Sequence, residues 1–232
     1  MNFQKLSLAL ALSSCFAVQA APVELVTDGG FESGGLSSWS TTGLGTTGTC
    51  PSMGRDWNVA TTGAATGCSA AGNPIEGRYA AYVMNDGGVA APGMTYRLTQ
   101  TIIVPMAVTA ATLSFQFSSV SSYSGALRTF FVDVLDAGGG NLGTIYNYNV
   151  PTSDGSAAWD AVSVDMTSLL ASQGGSAVTL RFNNSIPTAW TGPAGLGLDA
   201  VSLKAEVPEP GALSLAALAL LAAGAATRRR KV

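Results

Sequence analysis

The 232-residue chain contains no histidine. That absence removes Ser-His-Asp and Cys-His nucleophilic machinery and every His-ligated zinc site, and it leaves carboxylates as the main route to enzymatic chemistry. Cysteine is nearly absent, with three residues: Cys15, Cys50 and Cys68. Basic residues are few, eleven in all, and four of them form one cluster, Arg228-Arg229-Arg230-Lys231 at the far end. Setting aside that cluster, Lys5 and Glu209 leaves six basic residues against thirteen acidic ones, a net charge of −7. A surface of that sign excludes nucleic acid, whose phosphates need Lys and Arg neutralisation. The Gly138-Gly139-Gly140 run is no phosphate loop, because no Lys-Ser/Thr follows it and no helix is expected there.

What the chain does have is concentrated at its ends. Val207-Pro208-Glu209-Pro210 precedes an apolar run, Gly211 to Ala226, and then the basic cluster. The two prolines lack N–H donors, so no helix enters the run from upstream. About 16 residues at 1.5 Å rise span roughly 24 Å, short of the ~30 Å hydrocarbon core, and snorkelling of the basic side chains extends the reach. The positive-inside rule keeps Arg228, Arg229, Arg230 and Lys231 cytoplasmic and the rest of the chain outside. At the other end Lys5, the apolar stretch Leu6 to Val18 and Val18-Gln19-Ala20 read as a signal peptide cut after Ala20. Leu12-Ser13-Ser14-Cys15 offers an alternative, a lipoprotein-type site that would leave Cys15 lipidated. The expected organisation is a signal peptide over residues 1–20, one domain over 21–206 and a sorting tail over 207–232.

The tail resembles the PEP-CTERM sorting signal of exported bacterial proteins, through Val207, Pro208, Glu209 and Pro210, the apolar stretch and the basic stop. That resemblance implies an exosortase-type transpeptidase as partner and an inner-membrane-anchored intermediate. After processing near the motif it implies release or transfer to the cell envelope, surface or extracellular space, in bacteria that make exopolysaccharide and biofilm matrix.

Between the ends the pattern is that of strands. Leu113/Phe115/Phe117, Val162/Val164/Met166 and Val178/Leu180/Phe182 alternate with period two. Strands are predicted over 23–27, 79–84, 96–104, 109–118, 129–135, 143–149, 158–166, 177–182 and 197–204, with one helical turn at 167–171. Gly-rich turns separate them. The expected fold class is all-β, a β-sandwich of the jelly-roll kind. Cys50 and Cys68, an even pair in an exported domain, read as a disulfide closing a loop too poor in apolar bulk to order itself, worth roughly 3 kcal/mol by loop entropy.

Asp28-Gly29-Gly30-Phe31-Glu32 with Trp39 resembles the opening of galactose-binding-like and carbohydrate-binding-module jelly rolls. Leu98-Thr99-Gln100-Thr101 with Leu113-Ser114-Phe115 resembles their core hairpin, and Leu198-Asp199-Ala200-Val201-Ser202-Leu203 their closing strand. The resemblance implies a structural calcium ion held by Glu32 and Asp199, with Asp28 and Gly30 contributing. On a two-residue period Asp199 shares a face with the apolar Val201 and Leu203, where a carboxylate is costly unless paired or metal-bound. The other reading has Asp199 capping a turn or meeting Arg181, and Glu32 solvated.

Aromatic residues that could stack on sugar rings are Trp57, Trp159, Trp190, Tyr79, Tyr123, Tyr146 and Tyr148. Trp190, in a Pro/Gly loop, and the Tyr146-Asn147-Tyr148 pair are the expected carbohydrate-binding residues, and Trp39 and Trp159 the expected core ones. No spacing among Asp133, Asp136, Asp154, Asp160 and Asp165 singles out a hydrolase pair. The expected function is a non-catalytic exported protein that binds polysaccharide. The alternatives are a carboxylate-based glycan hydrolase or lyase and a purely structural matrix component.

Overall fold

The alternating patterns pair into two antiparallel sheets packed face to face. In the computed structural model residues 21–43, 55–62, 71–85, 94–186 and 194–208 are described. The first sheet runs in the order β10 (Trp159–Asp165), β6 (Ala110–Ser122), β12 (Ala194–Val207), β4 (Ala80–Asn85) and β3 (Arg55–Ala60), with β1 (Ala21–Glu24) beside β12 and β9 (Ser153–Asp154) beside β6. The second runs β2 (Ser40–Thr42), β5 (Met94–Ile103), β11 (Ala177–Ile186), β7 (Arg128–Leu135) and β8 (Asn141–Val150). One short helix, α1 (Thr167–Ala171), lies where the helical turn is predicted and buries Leu170. No helix among the described residues is long and apolar enough to cross a membrane.

Period-two alternation places Leu113, Phe115 and Phe117 of β6 against Leu98 of β5 and Val178, Leu180 and Phe182 of β11, all buried. Phe115 meets Phe182 edge-on at 5.5 Å, and Phe117 stacks on Phe130 at 5.4 Å. Such ring pairs add about 0.5–1.5 kcal/mol beyond the area they bury. Trp39 belongs to this core, packing on Phe31 and Phe182. Gln100 is buried with it, yet its amide takes the Thr27 N–H and donates to the Thr27 and Ser38 carbonyls, so the opening segment is tied to β5 without an unmet polar group.

Three expectations need correction. The strands containing Leu98 and Leu113 form no hairpin. β5 pairs with β2 and β11, β6 with β10, β12 and β9, and residues 104–109 cross from one sheet to the other. Strands β2, β3 and β9 carry too few residues or too little alternation to show in the sequence. The first strand, expected over 23–27, lies instead at Ala21–Glu24, where Ala21 pairs with Val207 of β12.

Candidate functional site

The two outer faces of the sandwich differ in kind. On the first sheet, register aligns Trp159, Ser118, Gly197, Tyr82 and Asn58 in one row across five strands. A strap, residues 71–79, lies over this row. Gly72 N–H donates to Ser118 Oγ (3.1 Å), Tyr82 OH to the Gly72 carbonyl (2.8 Å) and Trp159 Nε1 to the Asn73 carbonyl (2.7 Å). Ala71, Ala80 and Tyr82 form a small second apolar cluster with Trp159 against it. Gly197 sits under this cover: a Cβ there would lie 3.0 Å from Trp159, 3.1 Å from Tyr82 and 3.3 Å from Ala71 of the strap. Trp159 is therefore half-buried outside the main core, which corrects its expected place.

Two carboxylates clasp the strap. Asp199 Oδ2 accepts the N–H groups of Ile75 (2.9 Å) and Glu76 (3.4 Å), and its Oδ1 accepts that of Ala200 (2.7 Å). Glu32 Oε1 accepts those of Arg78 and Tyr79, both at 2.9 Å. Gly77 turns between them at φ 59°, a left-handed conformation that suits glycine, and a side chain there would strike the Glu32 carboxylate.

Asp199 is fully buried, but under the strap rather than in the inter-sheet core. Ala200 takes φ 51° and the β12–β6 register shifts between Asp199 and Ser202, a β-bulge. The bulge puts Asp199 opposite Gln116 on the outer face, while Val201 and Leu203 stay inside. Burial, and then the Glu76 charge, push its carboxyl up to about 6 against the three N–H bonds that favour the anion. Burial, and then the Asp199 charge, raise the phenol of Tyr82.

This geometry also tests the calcium expectation. Ca²⁺ needs six to eight oxygens. Both Asp199 oxygens and Glu32 Oε1 face N–H donors, and both Asp28 oxygens take the Ser33 amide or hydroxyl. Gly30 lies beside the Glu76 carboxylate. Among the described residues no group of three or more His, Cys, Asp or Glu is placed to hold a metal ion. Of the expected ligands, Glu32 and Asp199 hold the strap through its N–H groups, while Asp28 holds Ser33 instead.

The outer face of the second sheet has no such strap among the described residues. Register aligns Thr42, Arg97, Asn183, Phe131 and Asn147 across its five strands, with Ser40, Thr99, Arg181, Asp133 and Thr144 in the row beside it. Arg181 Nη2 meets Asp133 Oδ2 at 2.6 Å, Thr144 Oγ1 donates to Asp133 Oδ1 at 2.9 Å, and Asn183 Nδ2 donates to the carbonyls of Phe131 and Arg181. Two polar atoms stay unmet: Asn183 Oδ1 and Arg97 Nε are buried with no hydrogen-bond partner. Sequence reading missed this row. Its one local signal is Arg181 and Asn183 flanking the core residue Phe182.

Tyr146 and Tyr148, expected to bind sugar, lie elsewhere. They stand opposite the buried Val132 and Phe130 and pack inward, the Tyr148 ring 4.9 Å from Phe117. Burial, then the nearby Asp160 and Tyr148, raise the Tyr146 phenol. Trp57 is buried, Tyr123 is buried with its hydroxyl on the Val150 carbonyl, and Tyr79 is half-buried. Trp190, Cys15, Cys50, Cys68, residues 1–20 and the tail beyond Pro208, including Arg228, Arg229, Arg230 and Lys231, lie outside the described residues.

Comparison with known proteins agrees with both ends of this reading. Residues 206–231 match the PEP-CTERM protein-sorting motif. The chain carries an exosortase-type sorting signal. It is thus an exported protein that passes through a membrane-anchored intermediate. No curated protein matches it by sequence. Among solved structures it is similar to the Stig cyclase Fisc from Fischerella sp. TAU (20% identity, 82% of this chain and 100% of that one, TM-score 0.52) and to an apo cyclase from Fischerella sp. (15%, 81% and 98%, 0.51). It is also similar to TmCBM61 in complex with beta-1,4-galactotriose (16%, 79% and 99%, TM-score 0.49). At these identities the likeness to the two cyclases speaks for the fold alone.

Proposed function

We propose that the domain is a non-catalytic polysaccharide-binding module, exported and then delivered to the cell surface or extracellular matrix through its sorting tail, with the glycan lying across the five strands of the second sheet. The observation that carries this reading is the Arg97–Asn183–Phe131 row. A buried acceptor and a buried donor without partners cost about 1–3 kcal/mol each. Sugar hydroxyls are both donors and acceptors and complete such a pair once the side chains that close over it move aside, and the Phe131 ring supplies an apolar face for a pyranose. Asp133 in the next row is held by Arg181, Thr144 and Asn183. That fits a role in shaping the surface better than one in proton transfer.

The test is a glycan array and pull-down on the exopolysaccharide of the producing cell, with wild type, Phe131→Ala and Arg97→Met. Binding without product release, lost at least tenfold in both variants while the fold is kept, supports the proposal. Release of shortened saccharides would make the protein a hydrolase or lyase, and unchanged binding in both variants would remove the site from this face.

A further inference from the structure

We propose that the end of the sandwich from which the sorting tail leaves is a membrane-contacting platform, in which Ile103 and Met106 dip into the bilayer interface while the tail holds the chain there. The proposal rests on the sorting-signal reading of the tail and adds a surface of the folded domain to it.

The fold leaves almost no slack between domain and membrane. β12 stays paired to its last residue, Val207 with Ala21 on one side and Glu206 with Ala110 on the other. The apolar run begins at Gly211, so Pro208, Glu209 and Pro210 form the whole link, roughly 10 Å when extended. Whatever surrounds Val207 therefore lies within a headgroup layer's depth of the hydrocarbon.

Glu206 is exposed at the exit, but the loops beside it are apolar and uncharged. Thr109 donates through both its N–H (2.9 Å) and its hydroxyl (3.2 Å) to the Glu206 carbonyl, which fixes the 104–109 crossing loop beside the tail's exit. Val104 N–H donates to Ser176 and Gly175 N–H returns to Val104, both at 2.9 Å, joining the 173–176 turn to the same end. There is no Asp, Glu, Lys or Arg between residues 102 and 112 or between 166 and 178. Met106 is 73% exposed and Ile103 66%, the two most exposed large hydrophobic residues described, and Val23 of the adjoining β1 is 42% exposed. Met106 tops a loop turned back on itself by Ala107 at φ 58°. Exposed apolar groups gathered at one end mark an interaction surface, and here the tail dictates which surface they face. The domain's acidic charge rules out attraction to anionic headgroups, so the contact is apolar.

The experiment uses the tail-bearing chain reconstituted in phosphatidylethanolamine/phosphatidylglycerol vesicles, with and without brominated acyl chains. Met106→Trp and Leu127→Trp each add one indole. Leu127 is exposed in the loop between β6 and β7, at the opposite end of the sandwich. Bromolipid should quench the emission added by Met106→Trp at least twofold and leave that of Leu127→Trp unchanged. Raising salt from about 0.1 to about 1 M, which shortens the Debye length from ~10 to ~3 Å, should not alter the result. No quenching at position 106 with the tail resistant to alkaline extraction overturns the platform alone, and it reassigns the surface to a protein if Met106→Ser slows tail processing in cells. Equal quenching at both positions also overturns it. A chain that alkali extracts overturns the sorting reading instead.

Discussion

The two outer faces of this sandwich solve the same problem in opposite ways. Both carry polar side chains that the fold buries. On the first sheet Asp199 is fully buried, and its two oxygens receive three backbone N–H groups from Ala200 and the strap. On the second sheet Asn183 is 1% exposed, yet its carbonyl oxygen receives nothing, and neither does Arg97 Nε beside it. The first face is finished by the chain itself, and on the second these two atoms have no partner among the described residues.

The contrast breaks most sharply at Asp199. Asp199→Ala strands three N–H groups under the strap, and removing the buried charge offsets only part of that loss. A net loss on the order of 3 kcal/mol is expected at pH 7, or a melting temperature roughly 6–12 °C lower for a domain of this size, read by thermal denaturation. Asn183→Leu, on the other face, should abolish glycan binding and cost on the order of 1–2 kcal/mol, because it removes an already unmet acceptor but also the Nδ2 bonds to the Phe131 and Arg181 carbonyls.

Asp199 also has a signature in pH. Its folded carboxyl sits near 6, above the ordinary 3.8. A raised acid pKa means that its contribution to stability is fully present below about 3.8 and is lost as pH rises through about 6, for a total on the order of 3 kcal/mol. Denaturant midpoints of wild type and Asp199→Asn compared at pH 4 and pH 7 isolate this effect, since other carboxylates cancel. The wild type should lose stability relative to the variant as pH rises, and a constant gap would show that Asp199 titrates normally.

Smaller effects sharpen the comparison. Gly197→Ala places a Cβ against Trp159 and Tyr82 and should cost about 1–2 kcal/mol in urea melts by lifting the strap. Thr179→Ala on the open face should cost under about 0.5 kcal/mol. Smallest of all, calcium and EDTA should give melting temperatures within about a degree of each other, since binding to the folded state alone would add about 2.7 kcal/mol at one hundred times Kd. A rise of several degrees with calcium would mean that Glu32 and Asp199 turn from the strap to an ion.

Much of the fold was legible in the chain. Alternation in Leu113/Phe115/Phe117 and Val178/Leu180/Phe182 placed β6 and β11 and the face each buries, and Trp39 was assigned to the core where it packs. The errors have local causes. Asp199 was placed inward because two-residue counting assumes an unbroken strand, and the bulge at Ala200 reverses the count for everything before it. Tyr146 and Tyr148 were taken as one exposed face because edge strand β8 is polar on its other positions. Glu32 and Asp199 both reach the strap, but what they hold there, the 75–79 backbone, leaves no mark in residue type because its donors are N–H groups that any residue supplies.

By itself the sequence determined the address and the fold class: a sorting motif over residues 206–231, and strands whose side-chain period shows which residues seek the core. Those features are local, set by proline, by hydrophobic length and by alternation within a few residues. Only the tertiary structure decided which polar residues meet. Arg97, Phe131 and Asn183 become neighbours through the register of β5, β11 and β7, and Val207 comes to lie against Ala21 through the pairing of the first strand with the last. Register is fixed by packing between strands far apart in the chain, where one bulge or one crossing loop changes every partner, and no local pattern encodes it.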